Sequence, residues 1–135
     1  MPTLTATLLN SQALVNDKVF IGVMIDTVQP IVGCDISLYI SPRLKFLNYF
    51  PTSLIPVTPL YLYENNRIKF SKLFSPPFNQ AVKGLIAVIE CQALSVGRAD
   101  IKFDFTLGST IDCNISSPQA TDILTAVENR RLTIL

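Results

Sequence analysis

Residues 32–40 read Val-Gly-Cys-Asp-Ile-Ser-Leu-Tyr-Ile, so apolar residues alternate with small or polar ones along the whole stretch. A period of two is typical of a β-strand that packs one face against a core and exposes the other. The core face is predicted to carry Val32, Cys34, Ile36, Leu38 and Ile40. Asp35, Ser37 and Tyr39 then lie on the outward face. The strand is predicted to end at Ser41-Pro42, because proline lacks the N–H that the next ladder bond needs.

The same alternation recurs through most of the chain. Further strands are predicted over residues 18–27, 44–49, 85–93 and 101–107, and a hairpin over 60–74 turns at Glu-Asn-Asn-Arg. Eight or nine short strands separated by Pro, Asn and Gly turns indicate an all-β antiparallel sandwich. Since neither a repeat nor a low-complexity linker interrupts the pattern, a single domain is expected to fill residues 1–135.

The C-terminal segment, Asp122 to Leu135, allows two interpretations. We favour a last hairpin that turns near Glu128-Asn129-Arg130. An amphipathic helix is the alternative, because Ile123, Leu124 and Val127 also have helical spacing.

The alternation also predicts which side chains form the core. These are Val19, Ile21, Val23, Cys34, Ile36, Leu38, Leu85, Ala87, Ile89, Ile101, Phe103 and Phe105. A register slip of one residue would turn a whole apolar set to solvent, so the members of each strand should be buried together. The three cysteines, Cys34, Cys91 and Cys113, are odd in number and far apart, which favours buried free thiols over a zinc site or a disulfide framework.

Composition argues against several classes of function. The chain has 11 Lys+Arg and 10 Asp+Glu, a net charge of +1, which gives no electrostatic signature of nucleic-acid or anionic-membrane binding. It has no histidine, which excludes histidine bases, histidine-activated nucleophiles and histidine metal ligands. No apolar run approaches the roughly 18 residues of a membrane span, and the N-terminus lacks signal-peptide features. The sequence favours a non-enzymatic protein, either intracellular or a module of a larger exported chain.

Two small motifs carry little weight. Asp100, Asp104 and Asp112 are close in sequence, but they lack the spacing of a calcium loop, so solvated charges on strand faces are the favoured interpretation. Asn114-Ile115-Ser116 matches a glycosylation sequon, which is a common chance match. No metal or cofactor is therefore expected in this chain.

Three stretches together carry a family resemblance. The first is residues 32–44, an aspartate-containing strand followed by Ser-Pro and then by a leucine. The second combines residues 66–71 with the Lys-Gly-Leu-Ile-Ala start of the strand at 83–89. The third is the Gly-x-x-x-Ile-x-Phe pattern of residues 97–103 with the Gly-Ser-Thr-Ile-Asp of 108–112. In this order and spacing they resemble the cohesin domain, the module that docks dockerins, although Ile-Ser-Pro stands at 40–42 where cohesins commonly have Tyr-Asp-Pro.

The resemblance covers roughly residues 5–135 and has clear implications. It implies a nine-stranded jelly-roll sandwich without an active site, and a dockerin-like partner that docks on one flat sheet face. Calcium is expected in the dockerin partner and not in this chain. The resemblance also implies an extracellular or cell-surface location as part of a larger exported protein.

Site residues follow from the resemblance one position at a time. Asp35 matches the aspartate that cohesins use on the third strand, and Tyr63 lies near a tyrosine that some use on the fifth. The other candidates share an outward face by alternation. The complete expected partner-binding set is Asp35, Ser37, Tyr39, Tyr63, Lys69, Ser71, Lys102 and Asp104.

Two other functions remain open at this point. One is a glycan-binding or adhesion sandwich with the same architecture but without the dockerin interface. The other is a spacer domain with a purely structural role. Fold alone does not decide between them, because sandwiches host many functions.

Overall fold

A computed structural model describes residues 1–58, 61–107 and 112–135, and within them every regular element is a β-strand. The twelve strands are β1 (Thr3–Leu8), β2 (Gln12–Ala13), β3 (Lys18–Asp26), β4 (Gly33–Ile40), β5 (Leu44–Pro51), β6 (Tyr61–Glu64), β7 (Arg67–Leu73), β8 (Lys83–Ala93), β9 (Gly97–Phe103), β10 (Asn114–Ser116), β11 (Ala126–Glu128) and β12 (Arg130–Ile134).

The strands form two sheets that face each other across one core. The first sheet has the order β11-β1-β3-β8-β5, and the second has the order β2-β12-β9-β4-β7-β6, with β10 beside β4. All pairs are antiparallel except β1 with β11 and β12 with β2. The all-β sandwich is confirmed, but nine strands were expected and the described residues form twelve. The excess comes from short edge pieces such as β2, β10 and β11.

The predicted C-terminal hairpin is wrong, and so is the helical alternative. β11 pairs with β1 in the first sheet, whereas β12 pairs with β9 in the second. The chain therefore crosses from one sheet to the other at Asn129. The side-chain oxygen of Asn129 accepts a 2.8 Å hydrogen bond from the backbone N–H of Phe103, which fixes the crossing point.

Most of the predicted core is confirmed. The buried members are Val19, Ile21, Val23, Cys34, Ile36, Leu38, Ala87, Ile89, Ile101 and Phe103. Leu85 is wrong, because a bulge pairs Met24 with Leu85 and turns Ile86 into the core instead. Phe105 is only half-buried, because β9 ends at Phe103 and not at residue 107 as predicted.

The core also contains a fully buried charged side chain. Lys72 is fully buried on the inward face of β7, opposite Cys34 of β4. Its ammonium donates hydrogen bonds to the carbonyl of Thr52 at 2.8 Å and to the hydroxyl of Thr58 at 2.9 Å. Burial lowers the pKa of Lys72, because the charged form loses hydration.

All three cysteines are buried, as predicted, and their thiols are free. Cys34 and Cys91 lie in opposite sheets, on β4 and β8. Burial raises the pKa of Cys34, Cys91 and Cys113 to about 12 in each case. These side chains therefore stay protonated at neutral pH and pack as small apolar groups.

Truncating Phe103 to alanine should cost about 3–5 kcal/mol of unfolding free energy, because the ring is 5% exposed and its removal opens a cavity. The measurement is denaturant unfolding at equilibrium. Phe20→Ala is the matched control, because Phe20 is 46% exposed on the other sheet. The variant should lose clearly less unfolding free energy than Phe103→Ala. Equal losses in the two variants would contradict the assigned register of β9.

Lys72 should leave a signature in the pH dependence of stability. A lysine whose pKa is lowered by folding destabilises the native state at neutral pH, and this cost disappears as pH rises toward the unfolded value of about 10.5. Wild type should therefore gain stability relative to Lys72→Met between neutral pH and 10.5 in denaturant titrations. Lys69→Met is the matched control, because it removes an exposed lysine from the opposite face of β7. If the unfolding free energies of Lys72→Met and wild type changed in parallel with pH, the burial of the Lys72 ammonium would carry no free-energy cost.

Candidate functional site

The outward face of the second sheet brings most of the predicted site residues together. β4 lies between β7 on one side and β9 and β10 on the other. Across the β4–β7 pair, Asp35 lies opposite Ser71, and Ser37 lies opposite Lys69. Across the β4–β9 pair, Tyr39 lies opposite Lys102. The side chains alternate as predicted, so the apolar residues between these positions enter the core.

These side chains line an open depression of about 1310 Å³ on the sheet. We call it the polar face and define it by eight of its lining residues: Asp35, Ser37, Tyr39, Arg67, Lys69, Ser71, Lys102 and Asp104. Seven of these belong to the set expected from the sequence. Arg67 is the addition, because sequence reasoning placed it in the hairpin turn. The sequence signal that could have placed Arg67 on this face is the two-residue spacing of Arg67, Lys69 and Ser71 along the strand.

Asp104 organises one half of the polar face. Its Oδ2 accepts hydrogen bonds from the Ser37 hydroxyl at 2.5 Å and from Arg67 Nε at 2.9 Å. The Arg67 guanidinium also lies over the Tyr39 ring, 5.4 Å from its centroid, in cation–π geometry. These four side chains, from two strands and the segment after β9, thereby fix one another before any partner arrives.

Asp35 is exposed and less constrained. Its Oδ1 accepts a 2.6 Å hydrogen bond from the Ser71 hydroxyl. Within the part of the chain that the structure describes, no basic side chain forms an ion pair with Asp35 and no acidic one with Lys69. The carboxylate and the ammonium are thus both available to a partner.

Tyr63 does not lie on the polar face, so its expected place there is wrong. β6 pairs with β7 so that Tyr63 lies opposite the buried Ile68, and its ring stacks on Phe46 with centroids 4.8 Å apart. Burial raises the pKa of the Tyr63 phenol. Leu62, opposite Lys69, takes the outward position at the edge of the face and is 51% exposed. The sequence alone left the register of this strand open by one residue. Leu60, the first residue of the predicted hairpin, lies outside the residues that the structure describes.

A buried thiol supports the middle of the face. β9 pairs with β4 at Leu38–Ile40 and β10 pairs with it at Gly33–Asp35, so the backbone of Ser37 lies between the two ladders. Cys113 Sγ lies 3.3 Å from both the backbone nitrogen and the carbonyl oxygen of Ser37. Because burial raises the pKa of Cys113 to about 12, its S–H remains available to donate to that carbonyl. The contact holds Ser37 where its hydroxyl meets Asp104.

The aspartates near β9 have separate partners. Asp100 accepts from Arg131 Nε at 2.7 Å, and this hydrogen bond lowers its pKa. Asp104 binds Arg67, and Asp112 Oδ2 accepts from the backbone N–H of Thr106 at 2.5 Å. No cluster of three His, Cys, Asp or Glu residues with metal-binding proximity occurs among the residues described. Residues 108–111 of the third resemblance stretch lie outside the described residues, and Asn114 of the sequon is buried on β10.

No protein-family model matches the chain, and no curated protein matches it. Solved structures do match over nearly its whole length. The cohesin CaCohA2 of Clostridium acetobutylicum, in complex with a variant of CaDoc0917, has a TM-score of 0.78 at 16% identity, with 100% of both chains covered. The cohesin of the Coh-OlpC-Doc435 complex from Clostridium thermocellum has a TM-score of 0.79 at 17% identity, with 99% and 93% covered.

The chain has the cohesin fold. A non-cellulosomal cohesin from the hyperthermophilic archaeon Archaeoglobus fulgidus agrees, with a TM-score of 0.75 at 14% identity and 99% and 91% of the chains covered. The jelly-roll sandwich implied by the cohesin resemblance is thereby confirmed. At these identities the likeness concerns the fold alone. No membrane-spanning helix occurs in the described residues.

Proposed function

We propose that this chain is a non-catalytic binding module that docks a dockerin-like protein on its polar face. Two of the similar structures are cohesins in complex with dockerins, a CaDoc0917 variant in one and Doc435 in the other. The observation that carries the proposal is the gathering of seven predicted site residues into one open depression on β4, β7 and β9. The eighth predicted residue, Tyr63, is not part of the proposed site.

The polar face suits a protein partner because it is open and partly preformed. A sheet keeps its side chains at fixed spacings, and the Ser37–Asp104–Arg67 hydrogen bonds hold three of them in place. Preorganised side chains lose little freedom on binding, so less of the contact energy is spent on ordering them. Leu62 adds an exposed apolar contact at one edge. An interface of standard size would bury about 1,200–2,000 Å² in total.

The described part of the face offers little aromatic surface for glycan binding, with Tyr61, which is 50% exposed, lining the depression. Ligand pockets for small molecules are commonly lined by aromatic side chains. On this face the ring of Tyr39 is covered by Arg67, and Tyr63 is turned toward the core. Protein docking therefore remains the proposed function, and glycan binding is an outcome that the experiment below can reveal.

We assign calcium to the partner and not to this chain. The Asp104 carboxylate of the polar face is already engaged in an ion pair with Arg67 at 2.9 Å. We also propose that the chain acts outside the cell or on its surface, as a module of a larger exported protein. A chelator should therefore abolish binding without changing the thermal stability of this chain.

Asp35→Ala should weaken binding by about 1.5–3 kcal/mol, because it removes a charge-assisted hydrogen bond at the centre of the face. The measurement is calorimetric titration with dockerin modules encoded in the same genome, with and without a chelator, and with soluble glycans as the alternative ligand. Asp26→Ala is the matched control, since Asp26 lies on the other sheet and its ion pair with Lys83 is exposed.

Unchanged affinity in Asp35→Ala would remove Asp35 from the site. Binding to glycans and to no dockerin module would overturn the proposed function.

A further inference from the structure

The polar face carries more charges than it neutralises. Arg67 is paired with Asp104 at 2.9 Å, and Lys102 lies 3.6 Å from Asp100. Asp35 and Lys69 are left over, since neither forms an ion pair within the described part of the chain. One negative and one positive charge therefore face outward without an ion-pair partner in the described part of the chain.

The two leftover charges are close neighbours in a fixed geometry. Asp35 lies opposite Ser71 and Ser37 lies opposite Lys69, so Asp35 and Lys69 are diagonal neighbours on adjacent strands. Such diagonal positions are roughly 7–8 Å apart. The Ser71 hydroxyl holds Oδ1 of Asp35 at 2.6 Å, which leaves Oδ2 to face a partner. The face thus presents a small dipole of defined direction.

A partner that covers this dipole must supply a counter-charge to both Asp35 and Lys69. A charge that is buried without a counter-charge is strongly unfavourable, and a like charge placed beside it is worse. Asp35 would repel a uniformly acidic partner surface, and Lys69 would repel a uniformly basic one. Each of these two classes of surface is therefore excluded by one of the two residues. The surface that fits carries one charge of each sign at matching separation.

We infer that the partner presents a basic side chain to Asp35 and an acidic side chain to Lys69, three or four residues apart on one helix. Helical residues at that spacing have Cβ atoms about 5–6 Å apart, and long charged side chains extend from them far enough to reach two strand positions that are roughly 7–8 Å apart. The inference rests on the proposed docking function and adds the charge pattern and orientation of the partner. It makes Lys69 and Asp35 a specificity pair, in which each residue excludes a different class of surface.

A dipole reversal at constant net charge tests this inference. The probe is a display library built on the Doc435 module, randomised at exposed helix positions three and four residues apart and selected on the wild-type chain. Binders are then measured on the double variant Asp35→Lys/Lys69→Asp. The matched control is Asp26→Lys/Lys83→Asp, which reverses an exposed cross-strand pair on the other sheet.

The selected binders should carry one basic and one acidic residue at the randomised positions. They should lose at least about tenfold in affinity on the reversed face and nothing on the control. Selection on the reversed face should return the two charges in the opposite order. Binders without an opposite-charge pair, or with equal affinity for both faces, would overturn the inference and leave the docking function standing. Recovery of no binder at all would overturn the docking function, and the inference with it.

Discussion

The pairing of β4 with β7 in a single register is the constraint on which the rest of the molecule depends. Seven consecutive residue pairs, from Gly33–Leu73 to Tyr39–Arg67, fix which side chains meet. A slip of one residue would drive Asp35 into the core and expose Ile36. The same ladder therefore produces both the apolar interior and the polar face, so a change that shifts the register would destroy stability and the site together.

A chain of contacts then transmits order from the core to the surface. The buried Cys113 thiol contacts the backbone of Ser37 in the gap between β9 and β10. The Ser37 hydroxyl binds Asp104, which binds Arg67, which covers Tyr39. Each member limits the freedom of the next. Part of the polar face is consequently set by folding, which is the condition under which a surface can bind a partner with little loss of side-chain entropy.

The sequence was sufficient to predict strands and the direction of their side chains where apolar and polar residues alternate with a period of two. It predicted β4, the burial of Cys34 and Phe103, and the outward direction of Asp35. It failed where the answer depends on a neighbouring strand. Leu85 was misplaced by a bulge against β3, because alternation within one strand does not reveal an inserted residue. Tyr63 required the register of β6 against β7, and the C-terminal segment required the knowledge that its two halves join different sheets. Lys72 shows the converse, since its position in the alternation points inward and only the oxygens of Thr52 and Thr58 make that burial tolerable.

Mapping a bound partner on the sheet by backbone amide chemical shifts tests the central claim most directly. The dockerin module that binds in calorimetry is titrated into isotope-labelled chain. If the polar face is the docking surface, the largest shifts will fall on Asp35 to Tyr39, Lys69 to Ser71 and Lys102, while β1 and β3 on the other sheet stay unchanged. Shifts concentrated around Phe20 and Phe50, which are exposed on that other sheet, would contradict it.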